Sequence, residues 1–482
     1  MISSHWRQLT AWSISILIAG IAGWLALRPD PYDALRQVDT LFAAGHYRAA
    51  LNQYAALANV LSEAELRRGI VFTIRGETDP ARRAFAAAIQ TGLRPAEYQL
   101  AVLYLGQIAF LEGDPRAARR TWQTLTTCLP NRCAIRDLLL ADDDLRAGRF
   151  DAAFAAYQSV ATEQLPADWV AMVGERLTLL SALHNPNHET PVNLQVSTVL
   201  ADPFLRPLLP PQAGTEALST ALMADPAARP QLLGQLALEL GYDHLALAFF
   251  AQVDPAGAHG LSAAIYRAYA HLRLGNQQQG IVQLEQLAAA HPDDVRIGAL
   301  LAVAYIRTGD LSAAAARLQQ IQAQHHSGPA IALAQAGLAF AQRDFVAAAD
   351  AYEQAVITAS PDERSRYLTI AARFHLDSGF ERCSSGILAA QAAVNSLPTD
   401  PEALTILAGT RYYCGDLSGA LAAADAALTA GGGVEARFYY GLILCAQGDL
   451  RRGRAALEAV ADQAPASIWR QRAETALELL GT

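Results

Sequence analysis

A glycine-centred turn returns along this chain at nearly fixed spacing, and it limits the fold more than any other feature. Gly45-His46-Tyr47 precedes Ala50, Gly113-Asp114-Pro115 precedes Ala118, and Gly148-Arg149-Phe150 precedes Ala153. The pattern resumes at Gly241-Tyr242-Asp243, Gly275-Asn276-Gln277, Gly309-Asp310-Leu311, Gly415-Asp416-Leu417 and Gly448-Asp449-Leu450. Asp79-Pro80, Arg343-Asp344-Phe345 and Gly379-Phe380 read as degenerate copies. Successive anchors at 45, 79, 113, 148, then 241, 275, 309, 343, 379, 415 and 448 stand 33 to 36 residues apart, with one gap of 93. A period of that length means one helical hairpin per repeat, stacked on its neighbours.

The residue types follow from the geometry of such a hairpin. Glycine ends the first helix in the left-handed conformation, and Asp or Asn caps the second. A small residue three positions on lets the two helices touch. In the third copy Gly106 precedes the turn, Trp122 supplies bulk in the second helix, and Pro130 closes the unit. Alternation typical of strands is scarce, and aromatic residues make up only 7% of the chain.

This order of small residue, Gly-Asp-aromatic, alanine, aromatic and proline resembles the tetratricopeptide repeat family. The resemblance covers residues 31–482 apart from 185–226. It implies an all-α, right-handed α-solenoid of about eleven helix-turn-helix repeats, with a period of ~34 residues; the uncharged segment at 9–27 adds one N-terminal transmembrane helix before it. The expected organisation is an anchor over 1–30, an N-terminal repeat block over 31–184, an irregular insertion over 185–226, a C-terminal block over 227–466 and a capping helix over 467–482. The insertion carries Pro186, Pro191, Pro203, Pro207, Pro210, Pro211 and Pro226, so no long helix runs through most of it. Hinge and decayed repeats both remain open for it. A first helix is expected over 168–182.

Leu9 to Leu27 carries no charge and has Trp12 and Trp24 near its ends. That length spans a hydrocarbon core of ~30 Å as a helix. An uncleaved anchor is the expectation, with a cleaved signal peptide as the alternative. Ser15, Ala19 and Gly23 share one face of this segment and suit weak homodimerisation. A short N-terminal tail before one apolar segment places the repeats extracytoplasmically, on a single-pass bacterial inner-membrane protein. Five cysteines leave at least one thiol unpaired. Cys128 and Cys133 form either a small disulfide loop or two free thiols.

Every one of the 37 basic Lys or Arg side chains is arginine. Schiff-base, P-loop and kinase-type lysine chemistry are therefore excluded. His184 and His188 are separated by Pro186, which prevents a helical metal pair. Asp142-Asp143-Asp144 lacks the spaced ligands of a calcium loop and reads as a solvated face. Gly431-Gly432-Gly433 lacks a preceding strand. No cofactor, no metal site and no enzymatic activity are expected. The net charge of −9 opposes nucleic-acid binding.

The resemblance implies that first helices line a groove. Register places Tyr104 and Phe110 there, then Tyr266, Tyr269 and Arg273, then Arg296, Val303, Ile306 and Arg307. Phe340, Arg366 and Arg373 follow, then Tyr412, Tyr413, Phe438, Tyr439 and Leu442. About half of these rings are expected to pack between helices instead. A membrane-tethered scaffold or assembly factor of the bacterial envelope, binding a protein or peptide partner, is the resulting expectation. A regulatory accessory subunit of an envelope enzyme complex, of glycosyltransferase or cytochrome-maturation type, is the alternative.

Overall fold

The computed structural model describes residues 30–185, 187–194, 202–324, 327–463 and 467–481. The anchor at 9–27 and its small-residue face lie outside the described residues. Among the described residues no helix is long and apolar enough to cross a membrane. All regular structure in them is helical. The chain divides into two compact units, 1–114 and 115–482.

The turn glycines work as the sequence demands. Gly45, Gly113, Gly148, Gly241, Gly275, Gly309, Gly415 and Gly448 all have φ between 75° and 91°. At the third of these after the gap, the Gly309 amide bonds to the Ile306 carbonyl at 3.1 Å and the Asp310 amide to Tyr305 at 2.9 Å. That is a Schellman closure of the first helix. Asp310 Oδ1 then accepts the Ala313 amide at 3.0 Å, and Asp416 does the same for Gly419 at 2.9 Å. One residue pair stops one helix and starts the next.

Of two degenerate beats, one differs from the reading and one keeps its place without glycine. Near Asp79-Pro80 the turn belongs to Gly76, at φ 71°, and Asp79 and Pro80 lie in the first turn of helix Thr78–Thr91. Only glycine takes that φ freely, so it sets the register. At Arg343 the same closure is made by an arginine at φ 62°, whose amide bonds to Phe340 at 3.0 Å. A side chain there costs roughly 1–2 kcal/mol relative to a right-handed conformation. Arg343→Gly should therefore raise the melting temperature by a few degrees, read by circular dichroism. An unchanged or lower value would mean that the arginine makes compensating contacts.

Close helix approach comes from a glycine on the first helix of a hairpin paired with a bulky residue on the second. A Cβ on Gly69 would lie 2.6 Å from Phe85, and one on Gly234 would lie 2.5 Å from Phe250. Gly441 stands in the same relation to Leu457, at 2.8 Å. In unit 1, Tyr104 is fully buried and stacks on Phe85 with ring centroids 5.9 Å apart. In unit 2, the final helix Ile468–Gly481 closes the last hairpin. Its Trp469 packs on Phe438 and Tyr439 at 5.5 and 5.8 Å.

The aspartate triplet is not a solvated face. Asp142, Asp143 and Asp144 are each only 6% exposed. Arg119 and Arg149 both bridge Asp143 and Asp144, at 2.6–2.9 Å. Asp142 takes Arg146 at 2.8 Å and the hydroxyl of Tyr157 at 3.3 Å. It also accepts the hydroxyl of Tyr242, which lies beyond the gap in the rhythm. Tyr242 in turn accepts from Nε of Arg176 at 2.9 Å. Arg176 is 0% exposed and pairs with Glu175. Burial holds the phenols of Tyr157 and Tyr242 well above their ordinary range, with Asp142 adding to it. Both donate as neutral hydroxyls.

The segment after helix Ala167–His184 packs back onto it. Pro211 offers its carbonyl to Arg176, and the Ala213 amide donates to Glu175 at 3.0 Å. The Val192 amide donates to Thr178 at 2.8 Å, and Gln212 to the Asp168 carbonyl at 3.1 Å. Gly174 leaves room for this crossing, since a Cβ would sit 2.8 Å from the Val192 carbonyl. Irregular chain thus satisfies its polar backbone groups on one helix.

Candidate functional site

From Gly260 onward the first helices are Gly260–Arg273, Val295–Thr308, Pro329–Ala341, Pro361–Ser378, Pro401–Tyr413 and Val434–Ala446. The last three are joined by one rung of charge. Arg373 bonds to Glu435 at 2.5 Å and to Glu402 at 3.4 Å, so one guanidinium spans three successive first helices. Burial works against the charge on Arg373, but bonding to Glu435 outweighs it and raises its pKa. Burial also raises the Glu435 carboxyl, against the pull of Arg373. Glu402 and Glu435 stand one period apart, so the sequence carried a signal for this rung that register counting on aromatics alone passed over.

Beside the rung lie the rings. Tyr413 is 47% exposed, sits edge-on to Tyr412 at 5.2 Å and to Tyr439 at 6.2 Å, and carries Arg382 over its face at 4.2 Å. Tyr412 is half-buried. Phe340, 48% exposed, meets Phe345 and Phe374 edge-on at 5.8 and 6.3 Å. The geometry fits contact with a partner at Tyr413 and Phe340, which combine exposed area with fixed rings.

The other residues assigned by register differ in exposure. Tyr104, Phe438 and Tyr439 are buried at 0%, 4% and 1% exposure and serve packing. Tyr439 fills the space over Gly409, where a Cβ would lie 2.8 Å from its ring. Tyr266 is half-buried and stacks on Phe250 at 5.6 Å, and Tyr269 is half-buried. Arg273 pairs with Asp243 at 3.1 Å and donates to the Leu238 carbonyl at 2.7 Å. Arg307 and Arg296 are exposed, the latter paired with Asp294 at 2.6 Å. Phe110, in unit 1, is half-buried.

A separate open groove of about 560 Å³ lies between second helices Gln277–Ala290 and Leu311–Ala323, floored by Leu301 and Tyr305. Tyr305 donates to Glu285 there. Burial first, then that bond, pushes its phenol up to about 12. Among the described residues no group of three His, Cys, Asp or Glu side chains is placed to hold a metal. His184 is held by Asp151 at 2.9 Å and the Leu180 carbonyl at 2.7 Å.

Two disulfides are present. Cys128 pairs with Cys133, and Cys383 with Cys414, each with Cα atoms 5.4 Å apart. Cys445 is free. The second bond was not legible in the sequence, because Cys383 sits in an irregular turn that no repeat register describes.

Residues 271–338 and 435–467 each match a family model of the tetratricopeptide repeat. No curated protein matches the chain. Among solved structures, the chain is similar to Pseudomonas aeruginosa PilF, at 16% identity over 45% of this chain and 97% of that one, with a TM-score of 0.36. It is also similar to a tetratricopeptide repeat protein from Parabacteroides merdae, at 14% identity over 64% and 98% of the two chains, with a TM-score of 0.28. The stretches 271–338 and 435–467 are tetratricopeptide repeats, a scaffold suited to protein–protein interaction.

Proposed function

We propose that this chain is a membrane-tethered interaction scaffold or assembly factor that binds a protein partner on the first-helix face of its C-terminal repeats. The observation that carries the reading is the Arg373 rung across three first helices, with Tyr413 and Phe340 exposed on fixed rings along the same series of helices. The uncharged segment 9–27 supplies the tether, and its Ser15, Ala19 and Gly23 face suits weak self-association. Two disulfides favour an oxidising compartment outside the cytoplasm for the repeats. A protease added to intact spheroplasts should then cut within 185–226; protection would overturn that placement. The alternative is a regulatory accessory subunit, recognised by recovery of a catalytic subunit in equal amount.

The test is photo-crosslinking from within the full chain. A photoreactive residue at 413 or 340 should capture one and the same partner, whereas one at Leu388, on a second helix and 71% exposed, should not. Tyr413→Ala should weaken binding of that partner by at least ~1 kcal/mol. The melting temperature should stay within a degree or two, since half of that ring already faces solvent. Equal capture from 388, or a large fall in melting temperature with unchanged affinity, would sink the reading.

A further inference from the structure

Between first helix Pro361–Ser378 and second helix Ile387–Ser396, the repeat lacks the Gly-Asp turn that closes its neighbours. Gly379 takes the left-handed conformation at φ 75°, but Glu381 then does so as well, at φ 45°, where a side chain is disfavoured. Residues Arg382–Gly386 follow in a widened turn. Non-covalent ties hold it. His375 Nδ1 meets the Phe380 carbonyl at 2.8 Å, Arg382 donates to the Leu376 carbonyl at 2.8 Å, and the Arg382 guanidinium lies over Tyr413. The covalent tie is Cys383–Cys414. Cys414 caps the C-terminus of helix Pro401–Tyr413, directly after the exposed ring of Tyr413.

We propose that the Cys383–Cys414 bond is a redox-sensitive latch, which fixes the irregular turn of one repeat to the first-helix end of the next and is released by a dithiol reductant in the folded protein. Cys383 is exposed and Cys414 half-buried, so a thiolate reaches the bond without unfolding. One thiolate of the reductant attacks a sulfur, giving a mixed disulfide and freeing the other cysteine. The second thiolate of the reductant then displaces the protein sulfur. Two protein thiols form, the reductant leaves as its own disulfide, and two electrons pass. Cys445 does not enter this exchange readily, because burial pushes its thiol up and keeps it protonated. Once the bond opens, Glu381 and its neighbours lose the constraint that holds an unfavourable turn. Arg382 then loosens from Tyr413.

The test uses the full chain with dithiothreitol, without denaturant. Maleimide labelling and mass spectrometry should find Cys383 and Cys414 alkylated in the reduced native protein. Hydrogen exchange across 379–386 and 412–417 should rise at least tenfold on reduction. Cys383→Ser with Cys414→Ser should show the fast exchange without reductant, and Cys128→Ser with Cys133→Ser should keep the response intact. Labelling only after unfolding, or unchanged exchange in the reduced wild type, would overturn the proposal. The wild-type comparison decides even where the double serine variant folds poorly.

Discussion

Replacing Arg176 by alanine should be among the most damaging single changes in this chain, removing about 3–5 kcal/mol of stability. The side chain is fully buried, and it pairs with Glu175, with the Tyr242 hydroxyl and with the Pro211 carbonyl. Its loss leaves the carboxylates of Glu175 and Asp142 with one cation fewer in a site that excludes water, and a cavity where the guanidinium stood. Chemical denaturation should show a lower midpoint and a broadened or split transition, because the network joins hairpins before and after 185–226. Tyr242→Phe should cost less, roughly 1–3 kcal/mol, since it removes one hydroxyl while keeping the ring under Arg146 and Arg176. Equal effects from the two variants would contradict the charge-pairing account.

The second large effect is expected at a glycine. In Gly234→Val the new side chain meets the Phe250 ring, which is 1% exposed and backed by Tyr266 at 5.6 Å. Overpacking of this kind costs about 1–3 kcal/mol. Combining it with Phe250→Leu should recover part of the loss, giving a measurable coupling in a double-mutant cycle. Additive losses would show that the two helices move apart to accommodate the substitution. The same change at the open turn residue Gly309 acts by a different route, through its φ of 83°, and Phe250→Leu should not rescue it.

What was legible in the sequence was the backbone requirement. A left-handed turn favours glycine, and Asp310, Asp344 and Asp416 cap the helices that follow their turns, so most hairpins could be counted from those residues. Three things were not legible, each for a physical reason. The triplet Asp142–Asp144 looks like a polar helical face until Arg119, Arg149, Tyr157 and Tyr242 arrive from other hairpins to cover it. Register identifies the residues of a first helix, but the size of the neighbour decides whether a ring is buried. Tyr439 is buried because Gly409 leaves space for it, whereas Tyr413, one repeat earlier, is not. The partner of Cys414 lies in a turn with no repeat counterpart, 31 residues away.

The Cys383–Cys414 tie also changes how this array would yield to a pulling force. Repeat arrays extend by peeling off one hairpin after another, each lengthening the chain as it gives way. With the bond intact, the chain between its ends, a separation of 31 positions, cannot contribute to that extension. At about 3.3–3.6 Å per extended residue, roughly 100 Å of slack stays locked away until the bond is reduced. A single molecule held at both ends should therefore unfold to a shorter contour when oxidised than when reduced.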